Sequence, residues 1–138
     1  MFACESSSLD DTRAFGKDFA KKIKPGSLVA FFGELGAGKT TLIKSIANHF
    51  GASQDDVNSP TYVYVQTYET TPKIHHFDLY RLKNKNDFIS MGFEEYFEEE
   101  SICLIEWPER ISSLLPKNTI QVHLDVVDQK RRKISWKS

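Results

Sequence analysis

Apolar positions recur along this chain in two rhythms, one of helical and one of strand type. Leu9, Phe15, Phe19 and Ile23 are spaced roughly as one face of a helix, with polar residues between them, which predicts a first helix over 9–23. Ser6-Ser7-Ser8 offers candidate caps at its start and Pro25-Gly26 a stop at its end. Leu28 to Phe32 is a continuous apolar run, followed by a glycine-rich turn and a second helical pattern that buries Leu42, Ile43, Ile46, Ala47 and Phe50. Gly51 is a natural C-terminal stop for that helix.

A polar loop, 55–60, leads into Tyr62 to Tyr68, dense in β-branched and aromatic residues and so a strand. Thr70 to Lys73 reads as a turn and Ile74 to Leu79 as a returning strand, with a hairpin the simplest connection. Asn84 to Ser90 and Phe93 to Glu98 have the character of short helices parted by Gly92. Ser101 to Ile105 suits a strand buried on both faces. A brief helix to Leu114, a turn at Pro116 to Asn118 and two closing strands, Thr119 to Val126 and Lys133 to Trp136, complete the chain. There is no internal repeat, low-complexity linker or domain boundary.

Composition narrows the possibilities. A length of 138 residues suits one domain with a real core. A net charge of -1 provides no broad positive field, so unaided binding of bare nucleic acid is not indicated. No apolar run approaches the ~18 residues of a membrane span, and Met1 to Asp10 lacks a signal-peptide pattern. Cys4 and Cys103 form neither a disulfide framework nor a metal-spacing pattern, and Cys103 reads as a small core residue. A reducing cytoplasm fits.

The turn after the first apolar run carries the chemistry. Gly33-Glu34-Leu35-Gly36-Ala37-Gly38-Lys39-Thr40 has the full P-loop spacing between a strand and a helix. The glycines let backbone N–H groups turn inward around a phosphate at the N-terminus of a helix, whose dipole favours an anion. Lys39 brings a positive charge to the β- and γ-phosphates, and the Thr40 hydroxyl is placed to ligate an accompanying Mg²⁺. Thr41 offers a further hydroxyl, toward the α-phosphate. The expected fold is a single α/β P-loop NTPase domain over 1–138. Its mixed sheet has a parallel centre and antiparallel hairpins, flanked by helices.

Fast hydrolysis needs a second anchor for Mg²⁺ and a group to orient water. Asp78, ending the run Ile74-His75-His76-Phe77, is the first candidate, with an Asp starting a turn as the alternative. Glu106, after Leu104-Ile105, could polarise water or hold a metal-bound one. Trp107 beside it is either a functional residue or a hydrophobic plug over the strand end. Thr61 could sense the γ-phosphate, or be a plain strand-entry Thr.

Other patterns have plainer readings. Asn84-Lys85-Asn86-Asp87 matches a guanine-reading motif but follows no buried strand, so it is expected to start a helix. His75 and His76 are adjacent, point to opposite strand faces and do not easily share a metal. The acidic run Glu94 to Glu100 reads as a solvated face with Phe93, Tyr96 and Phe97 inward, and Lys130-Arg131-Arg132-Lys133 as a charged hairpin turn.

Four segments in this order resemble one family: Gly33 to Thr41, Ser59-Pro60-Thr61-Tyr62, His76-Phe77-Asp78-Leu79-Tyr80-Arg81-Leu82 and Ile105-Glu106-Trp107-Pro108-Glu109. Together they are similar to the TsaE (YjeE) family of small bacterial P-loop ATPases, over nearly the whole chain. The resemblance implies an ATP- and Mg²⁺-dependent ATPase, weak alone and stimulated by partners. It implies a role in making threonylcarbamoyladenosine in tRNA, with TsaD and TsaB as partner proteins and tRNA reached only indirectly. Gly36 to Thr41 would hold the phosphates, Thr40 and Asp78 the metal, and Glu106 a metal or water. Thr61 would be a switch-like contact, and Trp107 would lie at the nucleotide or partner face. The adenine site maps loosely onto Asp10, Thr12 and the turn at Lys130 and Arg131. The competing readings are a small-molecule or nucleoside kinase and a nucleotide-gated binding module with negligible turnover. Between Arg81 and Arg110 there is no Arg for a kinase lid.

Overall fold

A computed structural model describes residues 2–34, 36–53 and 64–137, with only the backbone at Phe2. Among them are seven strands: β1 (Phe2–Ser6), β2 (Leu28–Phe32), β3 (Val65–Tyr68), β4 (Ile74–Asp78), β5 (Ile102–Glu106), β6 (Ile120–Val126) and β7 (Arg132–Lys137). The helices are α1 (Leu9–Ala20), α2 (Lys39–His49) and α3 (Lys85–Ser90), with 3-10 segments at Phe93–Glu98 and Pro108–Leu114. The strands form one sheet in the order β1-β7-β6-β2-β5-β4-β3. Its centre, β6-β2-β5-β4, is parallel, and the pairs β1/β7, β6/β7 and β3/β4 are antiparallel. This is the mixed α/β sheet the pattern predicts.

The two faces of the sheet follow from alternation along its strands. Val29 and Phe31 of β2, Ile74 of β4 and Ile102 and Leu104 of β5 join Leu42, Ile43 and Ile46 of α2 and Phe19 of α1 in one core. The intervening residues Leu28, Phe77, Cys103 and Ile105 face the other way and pack with Phe88, Leu82 and Ile111. Each such fully buried side chain contributes roughly 1.5–3 kcal/mol. Phe93, Tyr96 and Phe97 pack against the second core while Glu94, Glu95 and Glu98 stay exposed, matching the predicted solvated face.

The structure departs from the sequence reading in several places. Strand β1 was not expected: Phe2-Ala3-Cys4-Glu5-Ser6 is too short and polar to signal a strand, and pairing along β7 creates it. Helix α1 stops at Ala20, three residues early, and Ile23 is buried from the following turn. Leu9 does not join the buried face; it is 59% exposed at the helix start. Of the three candidate caps Ser8 is the one used, its side chain accepting from the Asp11 N–H at 3.1 Å. Asn84 caps α3 in the same way, accepting from the Asp87 N–H at 3.0 Å, so the Asn-Lys-x-Asp pattern is a helix start.

Candidate nucleotide site

Strand β2 runs straight into the P-loop and out through α2, whose first residue is Lys39. Gly38 caps that helix at φ 103°, a left-handed conformation that L side chains rarely adopt. At Gly33 the constraint is space rather than φ: a Cβ there would come within 2.8 Å of the Leu124 carbonyl oxygen on β6. The loop is drawn tight by the bonds Ala37 N–H to Glu34 O (3.0 Å) and Leu42 N–H to Gly38 O (3.0 Å).

Parallel pairing brings the acidic candidates together. Asp78 and Glu106 are register partners at the C-terminal ends of β4 and β5, and Phe31 of the P-loop strand is the partner of Glu106 on its other side. Ligand sites of open α/β sheets form at such carboxyl ends. Both carboxylates are buried, Asp78 at 7% exposure and Glu106 at 4%. Asp78 Oδ1 also accepts from the Tyr80 N–H at 3.1 Å, so Asp78 starts a turn and faces the site at once. Glu106 Oε2 is bonded to His76 Nε2 at 2.7 Å.

Lys39 is the buried cation beside these anions, 5% exposed. Its Nζ donates to the Gly33 carbonyl at 2.6 Å and sits 3.6 Å from the centroid of the Trp107 ring. Burial lowers the Lys39 pKa, while the charges of Glu106, Glu109 and Asp78 act against that shift. Trp107 itself holds a left-handed backbone, φ 59° and ψ 49°. Its ring stacks on Tyr80 at 4.9 Å between centroids. The Trp107 side chain is half-buried against the second core and also borders the cleft.

These groups line a cleft of about 880 Å³. Gly36 to Thr41, Asp78, Glu106, Trp107 and Thr12 all border it, and Gly33 and Glu34 form the loop's entry. Thr12 has its hydroxyl bonded to Ser6 Oγ at 2.7 Å. Asp10 and Arg131 are not among the lining residues. Asp10 is exposed and paired with Arg13 at 2.9 Å, and Arg131 turns to Asp128 at 2.6 Å. Leu35 and Thr61 lie outside the described residues.

Several lining residues were not among the expected site residues, among them Ser7, Ser8, Arg81, Gln129 and Arg132. The Arg132 guanidinium donates to the Gly36 carbonyl at 3.4 Å. No local signal marks Arg132, because it comes to the loop only through β6/β7 pairing. His76 was legible as a strand residue two positions before Asp78, and so on its face.

The donor set fits one class of ligand. Among the described residues no cluster of three or more His, Cys, Asp or Glu could hold a metal alone. Two buried carboxylates and a hydroxyl are hard oxygen donors, which suits Mg²⁺ completed by waters and substrate phosphates. Backbone N–H groups at a helix start, with a buried ammonium, suit the phosphates themselves.

The chain is similar to known proteins in sequence and in fold. A family model described as "Threonylcarbamoyl adenosine biosynthesis protein TsaE" matches residues 6–134. A Rickettsia felis protein named tRNA threonylcarbamoyladenosine biosynthesis protein TsaE is 40% identical over 124 residues, covering 89% of this chain and 72% of its own. A Treponema pallidum protein of the same name is 35% identical over 132 residues, covering 96% and 97%. A solved structure, Bacillus subtilis YdiB, superposes with a TM-score of 0.80 at 27% identity, covering 98% of this chain and 83% of that one. The chain belongs to the TsaE family of tRNA threonylcarbamoyladenosine biosynthesis.

Proposed function

We propose that this protein is a Mg²⁺-dependent ATPase, slow alone, that works with TsaD and TsaB in the cytoplasm to sustain threonylcarbamoyladenosine formation in tRNA. The observation that carries the reading is the convergence of Lys39, Asp78 and Glu106 on one cleft beside the P-loop. In this reading the P-loop N–H groups and Lys39 bind the triphosphate. Thr40 and Asp78 would hold Mg²⁺, whose charge would offset that of the phosphate oxygens. Glu106 orients water and accepts its proton. Trp107 and Tyr80 wall one side of the cleft against bulk solvent. A slow intrinsic rate is expected where the charge that stabilises transfer comes from a partner.

The test is ATP hydrolysis by the purified chain, alone and with TsaD and TsaB, with GTP as control. Weak turnover alone, raised by the pair and selective for ATP, is the expected result. Phosphate passed to an added nucleoside or metabolite, without stimulation, would instead establish a kinase.

A further inference from the structure

The two adjacent histidines of β4 are held in the same way on opposite faces of the sheet, and only one reaches the site. His75 bonds Glu99 Oε2 at 2.7 Å and Thr67 Oγ1 at 2.8 Å. It packs against Tyr96 at 4.4 Å, on the face away from the P-loop helix. His76 is fully buried, bonds Glu106 Oε2 through Nε2 at 2.7 Å and meets the Tyr68 hydroxyl through Nδ1 at 2.9 Å. Tyr68 in turn reaches Gln66 Oε1 at 3.4 Å. A line of polar groups therefore crosses three strands inside an otherwise apolar core, from β3 through β4 to β5.

The hydrogen count gives this line a direction. An ionised Glu106 only accepts, so His76 Nε2 donates to it. On the other side of the ring Nδ1 meets the Tyr68 hydroxyl. That bond, at 2.9 Å, is much shorter than the 3.4 Å contact to Gln66. His76 is thus held between Tyr68 and Glu106, and it fixes one oxygen of Glu106. A carboxylate on a strand end otherwise rotates about its last torsion, which is broad and weakly restrained. With Oε2 committed to the ring, the orientation of Oε1 is set as well.

We infer that His76 and Tyr68 are positioning residues, which lock the rotation of the Glu106 carboxylate and so fix the oxygen that acts on water in the cleft. The inference rests on the ATPase reading of the site. Outer partners of this kind typically support activity by about 10–100-fold.

The experiment compares His76→Gln, Tyr68→Phe and, as a control on the other face, His75→Gln. Each is measured for melting temperature, for affinity toward a non-hydrolysable ATP analogue with Mg²⁺, and for kcat and KM of ATP hydrolysis with TsaD and TsaB. The imidazole N–H signal of His76 is followed by NMR in the protein without nucleotide. Expected is a fall in kcat of about 10–100-fold for His76→Gln and a smaller fall for Tyr68→Phe, with analogue affinity unchanged. His75→Gln keeps kcat, and the wild-type His76 Nε2–H signal shifts in Glu106→Gln and in Tyr68→Phe. Unchanged kcat in a folded Tyr68→Phe and His76→Gln pair, with wild-type turnover intact, overturns the inference and leaves the ATPase reading standing. A loss of kcat matched by equal loss of affinity, or a His76 signal indifferent to Glu106→Gln, overturns it too. A wild-type chain that fails to hydrolyse ATP with its partners overturns the ATPase reading, and the inference with it.

Discussion

The Lys39 ammonium rests on the face of the Trp107 ring, 3.6 Å from its centroid, while donating to the Gly33 carbonyl at 2.6 Å. It lies within the influence of Glu106, Glu109 and Asp78, and burial makes its charge costly to hold. Lys39→Ala should therefore abolish ATP turnover. The sign of the stability effect follows from the depressed pKa. Between the folded and unfolded pKa values the unfolded chain binds more protons, so stability rises with pH there, and at neutral pH the charge weighs against the fold. Lys39→Met should leave the nucleotide-free melting temperature equal or higher while removing turnover. A clear drop in melting temperature would show that the Trp107 and Gly33 contacts outweigh burial.

Asp78→Ala should also abolish turnover, because it removes the carboxylate that pairs in register with Glu106. Asp78→Asn keeps the bond from the Tyr80 N–H, now to an amide oxygen, so its fold should survive. Loss of hydrolysis in Asp78→Asn with an unchanged melting temperature separates the charge of Asp78 from its turn. Wild-type turnover in either variant would remove Asp78 from the site.

Trp107→Ala should harm partner-stimulated hydrolysis more than stability, since the side chain is only partly buried. Its backbone is left-handed, at φ 59°, which costs any residue with a Cβ about 1 kcal/mol. Trp107→Gly should lose the same activity and melt higher than Trp107→Ala. Melting curves of the pair decide this, and a large equal fall in both would make the ring a structural plug.

Gly33→Ala should disrupt the loop through volume alone. The added methyl meets the Leu124 carbonyl, which belongs to a paired strand and yields little. A loss of roughly 1–3 kcal/mol, with weakened nucleotide binding, is expected from chemical denaturation and titration. An unperturbed variant would show that β6 can move away.

Burial, chiefly, pushes the Cys103 thiol up to about 12, from an ordinary 9.0. The folded chain keeps a proton that the unfolded chain releases, so this stabilisation is complete below about pH 9 and declines as pH rises toward 12. Alkylation of Cys103 at pH 8 should follow global unfolding. Rapid labelling in native buffer would contradict its burial.

The central strands were readable because each is a short apolar run bounded by turn residues, and the P-loop because its spacing is a chemical requirement. Asp78 and Glu106 were readable as acids at strand ends, although only the register between β4 and β5 makes them a pair. What escaped depends on distant pairing. β1 exists because β7 offers it an edge, and Arg132 reaches Gly36 by way of a hairpin. The role of His76 was hidden for a different reason. Adjacent histidines were weighed as metal ligands, whereas the partner of His76 lies 30 residues away. The left-handed backbone of Trp107 had no sequence signal, because L side chains rarely adopt it.

The close approach of Gly33 to Leu124 has a mechanical meaning. A Cβ at Gly33 would lie 2.8 Å from the Leu124 carbonyl oxygen of β6, and Arg132 of β7 donates to the Gly36 carbonyl at 3.4 Å, so the P-loop touches the β6/β7 hairpin at two points. A displacement of that hairpin, some ninety residues downstream in sequence, should therefore be felt at the loop.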